Sequence, residues 1–221
     1  MDGLNVTVGE LSANQAWEIA QAGEALIVDL SHPTQFAGGH PKGSLNLPYS
    51  AKGLKDRLGL LVQSGTPVIF IAEGSDQAQA AVAQLEGSSV PVAGIVEGNR
   101  AAWNDSNLPT EILSEISIQE ITRRNSADHQ VILDVREPIE WELGHVPGAL
   151  LISLGSLRHR LQEIPRGATI TVICEAGIRS SSAASLLQAA GFANVDHVPE
   201  GTGGYRNAGL PLQFTEEIGL G

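Results

Sequence analysis

Ile170-Thr171-Val172-Ile173-Cys174-Glu175-Ala176-Gly177-Ile178-Arg179-Ser180 joins a short apolar run to a helix-like one through a loop that contains a glycine. A β-branched run without polar alternation reads as a strand buried on both faces, the kind found in parallel sheets. Ser180-Ser181-Ser182 ahead of Ala183-Ala184-Ser185-Leu186-Leu187-Gln188-Ala189-Ala190 predicts the start of an amphipathic helix, and Gly191 its stop. The cysteine at the end of this strand is the only one in 221 residues.

The same stretch has an earlier echo without the thiol. Val68-Ile69-Phe70-Ile71-Ala72-Glu73 answers Ile170 to Glu175, Leu26-Ile27-Val28-Asp29 answers Val131-Ile132-Leu133-Asp134, and Gly39-His40-Pro41-Lys42-Gly43 answers Gly144-His145-Val146-Pro147-Gly148. Val6 to Leu11 aligns with Ile116 to Ile121, and Trp103 with Asn107-Leu108-Pro109 answers Tyr205 with Gly209-Leu210-Pro211. A repeated order of elements means two copies of one folding unit, here residues 1–112 and 113–221. Each reads as an α/β domain, with a central, mostly parallel sheet flanked by helices. In the second unit strands are expected near 131–134, 149–152, 169–173 and 194–198. Ser12 with Gln15, and Ser117 with Glu120, fit capping boxes that open helices.

Composition narrows the function classes. Net charge is −12, about −7 in the first unit and −5 in the second, so nucleic acid and anionic membrane are repelled. No apolar run reaches the roughly 20 residues of a membrane span, and Met1-Asp2-Gly3-Leu4-Asn5 lacks signal-peptide character, so a cytoplasmic protein is expected. One cysteine excludes an internal disulfide, and no Cys/His spacing suggests a metal or other cofactor.

The cysteine loop carries the chemistry. A glycine lets the backbone curl, Arg179 adds a cation, and a helix N-terminus follows, so N–H groups from Glu175 to Ser180 can converge on one anion. These features favour a thiolate at Cys174 and make it a candidate nucleophile. The bland alternative is a buried, inert cysteine. A structural cysteine, however, needs neither the glycine, the arginine nor the serine-rich helix start.

In these motifs the chain resembles the rhodanese family of sulfurtransferases. Asp134-Val135-Arg136-Glu137-Pro138, Gly144-His145-Val146-Pro147-Gly148-Ala149, Cys174 to Ser180, Ala190-Gly191-Phe192 and Ala208-Gly209-Leu210-Pro211 look like family signatures in family order. The resemblance implies two tandem rhodanese-like domains, with Cys174 carrying a persulfide taken from a donor such as thiosulfate. Cyanide, a thiol or a protein would accept the sulfur. Glu175, Ala176, Gly177, Ile178, Arg179 and Ser180 would bind the substrate, with Arg179 near the donor or closing the loop onto backbone. The loop from Cys174 to Arg179 is one residue shorter than that of tyrosine-specific cysteine phosphatases, so a single sulfur suits it better than a tetrahedral phosphate.

Arg136, Glu140 and Trp141 are candidates for the pocket rim, the first two as an ion pair. Asp134 and His145 read as structural, the histidine because His40 repeats it in the other half. Glu175 places a negative charge where family members have a basic or neutral residue, which predicts a poor fit to dianionic thiosulfate. In the first unit Ala72, Ser75 and Gln77 stand for Cys174, Gly177 and Arg179, so that copy is expected to be inactive. The alternative for the whole chain is a non-enzymatic rhodanese-like module that binds partners, carries sulfur or senses oxidants.

Overall fold

The computed structural model describes residues 8–97, 99–124 and 130–214. Val6 and Thr7 of the repeat lie outside the described residues. The chain divides between Glu111 and Ile112 into two compact units.

The first unit runs β1 (Glu10–Leu11), α1 (Ala13–Gln21), β2 (Leu26–Asp29), α2 (Pro33–Ala37), β3 (His40–Pro41), β4 (Leu45–Asn46), α3 (Leu54–Leu61), β5 (Val68–Ile71), α4 (Ser75–Gln84), β6 (Val92–Val96), α5 (Asn99–Asp105) and β7 (Thr110–Glu111). The second runs β8 (Ser114–Glu115), α6 (Ile118–Arg124), β9 (Gln130–Asp134), α7 (Pro138–Glu142), β10 (Leu150–Leu151), α8 (Leu154–Leu157), a 3-10 turn at Leu161–Glu163, β11 (Thr169–Ile173), α9 (Ile178–Ala189), β12 (Val195–His197) and α10 (Gly201–Asn207).

The repeat is topological. The first sheet has the order β1-β6-β5-β2-β4 and the second β10-β9-β11-β12-β8, which is the same order read from the other edge. Every pairing within both sheets is parallel. The antiparallel pair β3–β7 lies apart. Strands β5 and β11 occupy the two centres, which explains their unbroken apolar runs: Val68 to Ile71 are fully buried, as are Ile170, Val172 and Ile173. Each such side chain contributes about 1.5–3 kcal/mol by leaving water. In an open parallel sheet, loops at the carboxyl ends of the central strands are where ligands bind, and Cys174 follows β11 directly.

Three expectations need correction. Helix β-strand pairs fix the true register of the first repeat: Ser12 caps α1 after β1, and Ser117 precedes α6 after β8. Leu11 therefore answers Ile116 rather than Ile121, because the apolar pattern of the two segments matches equally well several residues out of step. Helix α9 begins at Ile178, not at the serines, since Gly177 takes the cap position at φ 82°. Nor is it amphipathic. Every residue from Ser180 to Leu187 is buried, and the small serines and alanines let its backbone lie close over the sheet.

Candidate active site

Cys174 sits where β11 ends, 1% exposed. Its Sγ accepts a hydrogen bond from the Ser180 amide at 3.3 Å and lies 3.6 Å from the Ser180 hydroxyl. Helix α9 thus turns one of its first-turn N–H groups, that of Ser180, toward the sulfur, at the end of the helix that favours negative charge. Two glycines make the curl possible. A Cβ on Gly177 would lie 2.5 Å from the Pro199 carbonyl oxygen, and one on Gly201 would overlap the carbonyls of Cys174 and Glu175.

The other expected site residues divide by position. Ala176 and Ile178 face solvent, Gly177 and Ser180 are buried, and Arg179 is half-buried. Arg179 closes the loop, but onto a carboxylate rather than backbone: it donates to both oxygens of Glu140, at 2.6 and 2.7 Å. Those hydrogen bonds hold Arg179 above the ordinary guanidinium range and bring the Glu140 carboxyl from 4.5 down to about 2, against an opposing push from burial.

The folded value for Glu140 lies below its unfolded value, so the pair contributes its full stability above about pH 4.5. That contribution fades as pH falls toward about 2. Glu140→Gln should remove this acid-side dependence. At neutral pH it should speed amide exchange in peptides spanning 174–180 by roughly fivefold, the ratio for about 1 kcal/mol from one partly exposed pair. Unchanged exchange would show that the pair does not hold the loop.

Arg136 is not on a rim and makes no ion pair with the Glu140 carboxylate. Its side chain is 1% exposed and chelates Asp134 through Nε and Nη2, at 2.7 to 3.0 Å, while donating to the carbonyls of Glu140 at 3.2 Å and Gly144 at 3.0 Å. A planar, five-donor group suits a carboxylate and two carbonyls at once. Trp141 stacks its ring on His145 at 3.5 Å, and His145 Nδ1 meets the Trp141 carbonyl at 3.2 Å. Phe36 and His40 repeat this stack in the first unit, so the histidine organises a turn in both copies.

The Glu175 charge is balanced by contacts the sequence did not disclose. Arg206 pairs with its carboxylate, Thr202 Oγ1 donates to Oε2 at 2.8 Å, and Arg136 Nη1 lies 3.8 Å away. Burial pushes this carboxyl up, yet the hydrogen bonds from Arg206 and Thr202 outweigh it and hold it below its usual value. Arg206 and Thr202 of α10 thus offset part of the Glu175 charge. In the first unit Ala72 is buried at the equivalent strand end, and Gln77 turns back to the Glu73 amide at 3.3 Å. Among the described residues there is no cluster of metal-ligating side chains and no helix long and apolar enough to cross a membrane.

Comparison with known proteins finds the two halves of the chain in one family. The chain belongs to the family of the rhodanese-like domain, whose family model matches residues 12–106 and again 117–208. It is 35% identical over 105 residues to YrkF of Bacillus subtilis, whose name assigns it provisionally as a sulfur carrier; the match covers 47% of this chain and 54% of YrkF. It is 28% identical over 106 residues to a sulfurtransferase of Allochromatium vinosum, 48% of this chain and 99% of that one. Over 80 residues it is 32% identical to the thiosulfate sulfurtransferase GlpE of Pseudoalteromonas translucida, 36% of this chain and 76% of that one. The chain thus spans about half the length of YrkF, and sulfurtransferases and a sulfur carrier are among its relatives.

Proposed function

We propose that the protein is a sulfurtransferase that moves a sulfane sulfur from a donor such as thiosulfate to a thiophilic acceptor through a persulfide on Cys174. The Cys174 thiolate attacks the outer sulfur of the donor, the donor's S–S bond breaks, and sulfite leaves with the electron pair. An acceptor, which is cyanide, a small thiol or a protein thiol, then attacks the outer sulfur of the persulfide and releases the thiolate. The Ser180 amide and the neighbouring helix start stabilise the anionic sulfur as preorganised dipoles. The observation that carries this reading is the Ser180 N–H 3.3 Å from Sγ at the carboxyl end of the central strand. The first unit, with Ala72 in that place, takes no part in the chemistry.

Incubation with thiosulfate and weighing of the intact chain tests it. A gain of one sulfur atom, absent in Cys174→Ser, is the expected result, and thiocyanate should form when cyanide is added. Failure of the wild type to gain sulfur from thiosulfate overturns the small-donor reading. A carrier role, favoured by the 1% exposure of Cys174 and the likeness to YrkF, would then predict loading only from a protein persulfide.

A further inference from the structure

Behind Cys174 the wall of the site is polar. Ser180 Oγ, 3.6 Å from Sγ, is 3.5 Å from Nδ1 of His197, and His197 Nε2 is 3.3 Å from Oε1 of Glu115. His197 lies on β12 and is 0% exposed, while the Glu115 side chain at the sheet edge is 32% exposed. A line of exchangeable groups therefore runs from the buried thiol, through a hydroxyl and an imidazole, to a carboxylate that meets solvent.

The first unit is an internal control. The strand registers pair His197 with Glu115 and Ile95 with Glu10, so Ile95 stands where His197 stands. Counted from Ala72 as from Cys174, Ala78 takes the place of Ser180. Ala72, Ala78 and Ile95 are all buried. The copy without the thiol has replaced the whole buried line by apolar residues, although the edge glutamate is kept. A buried imidazole is costly unless its nitrogens are engaged, and the packing of this fold does not require one.

We propose that His197 is a positioning residue for Cys174, taking up the thiol proton through Ser180 so that the nucleophile is held as a thiolate–imidazolium pair. The Cys174 S–H bond breaks and the sulfur keeps its electron pair. Its proton goes to Ser180 Oγ as the hydroxyl proton passes to Nδ1, while the Nε2 proton stays directed at Glu115. The hydroxyl, which with a neutral imidazole donates to the Gly177 carbonyl at 3.0 Å, then faces the thiolate. Protonation returns by the same route.

The charges around His197 set the balance. Burial is the largest effect and holds its pKa below the ordinary imidazole value, against the pull of Glu115 on β8, Asp196 beside it on β12 and Glu200 in the following turn, which act to raise it. Asp196 is occupied by Arg124 of α6 at 2.7 Å, and Arg179, the cation of the cysteine loop, by Glu140. A thiolate across Ser180 adds the remaining negative charge that favours imidazolium.

This inference rests on the persulfide reading for its purpose, but its test follows protons rather than sulfur. Thiolate absorbance against pH reports Cys174 alone, with Cys174→Ser as the blank, and NMR titration reports the His197 imidazole. His197→Gln and Ser180→Ala should each cut the thiolate fraction near neutral pH by about tenfold, the equivalent of one pH unit. By linkage, Cys174→Ser should lower the pH at which His197 takes up its proton. Superimposable thiolate curves in wild type and both variants, with a His197 titration indifferent to Cys174→Ser, overturn the proposal. If His197→Gln does not fold, Glu115→Gln at the exposed edge should shift the thiolate curve the same way by a smaller amount, and no shift overturns it. Loss of sulfur loading with these linked titrations intact would count against the persulfide reading alone.

Discussion

Gly201→Ala is expected to destabilise the second unit by about 3 kcal/mol or more and to abolish sulfur loading on Cys174. Gly201 opens α10 at φ 61°, a backbone conformation that costs an L-residue roughly 1–2 kcal/mol. The added methyl also has no room, because its position overlaps the carbonyls of Cys174 and Glu175, which are backbone and cannot swing aside. Overpacking of that kind costs about a further 1–3 kcal/mol.

The activity loss has the same origin. The first N–H groups of α10 bond the cysteine loop directly, Thr202 to the Cys174 carbonyl at 2.8 Å and Gly203 to the Glu175 carbonyl at 3.1 Å. Helix start and loop therefore move together, and the alanine must separate them. Gly209→Ala is the control: its φ is 67° but a methyl there meets nothing within 4 Å, so only the backbone strain applies. Thermal unfolding and thiosulfate loading of the two variants separate the effects. Equal destabilisation would mean that the approach of α10 to the cysteine loop carries no strain of its own.

How much of this was legible in the sequence depends on the range of the interaction. The doubled α/β order, the strands around 131–134 and 169–173 and the loop from Cys174 to Ser180 follow from local pattern, and the structure has them. Long-range side-chain pairing was not legible. Arg179 meets Glu140 across 39 residues, Glu175 meets Arg206 across 31, and His197 meets Glu115 across 82. Nothing in spacing selects those partners; the sheet order does. His197 left one trace, a polar residue on a strand whose counterpart carries Ile95 at the same register, but that trace becomes visible only with the register in hand. The misaligned first repeat has the same cause, since apolar periodicity alone leaves a slip of several residues undecided.

Arg136→Met should cost the second unit about 3–5 kcal/mol, because it leaves the Asp134 carboxylate, 0% exposed, as an unpaired buried charge. At roughly 4–8 °C per kcal/mol for a domain of this size, unfolding should fall by about 12 °C at the least. The first unit shows that the carboxylate needs a guanidinium more than it needs this one. There Ser31 stands in the place of Arg136, and Arg100 arrives from α5 to bind Asp29 at 2.8 Å, Ser31 Oγ at 2.8 Å and the Gln35 carbonyl. Arg100 is 21% exposed and Ser31 donates to Asp29 through both N and Oγ, so Arg100→Met should cost less. Asp134→Leu combined with Arg136→Met removes both charges and should recover most of the stability lost in the single variant. It should not recover sulfur loading, because Arg136 also donates to the Glu140 carbonyl and so sets the carboxylate that grips Arg179. Denaturant unfolding of the two singles and the double, beside loading of Cys174, distinguishes these roles. A double variant less stable than Arg136→Met would refute the buried-charge account, and one that loads sulfur normally would show that Arg136 acts on stability alone.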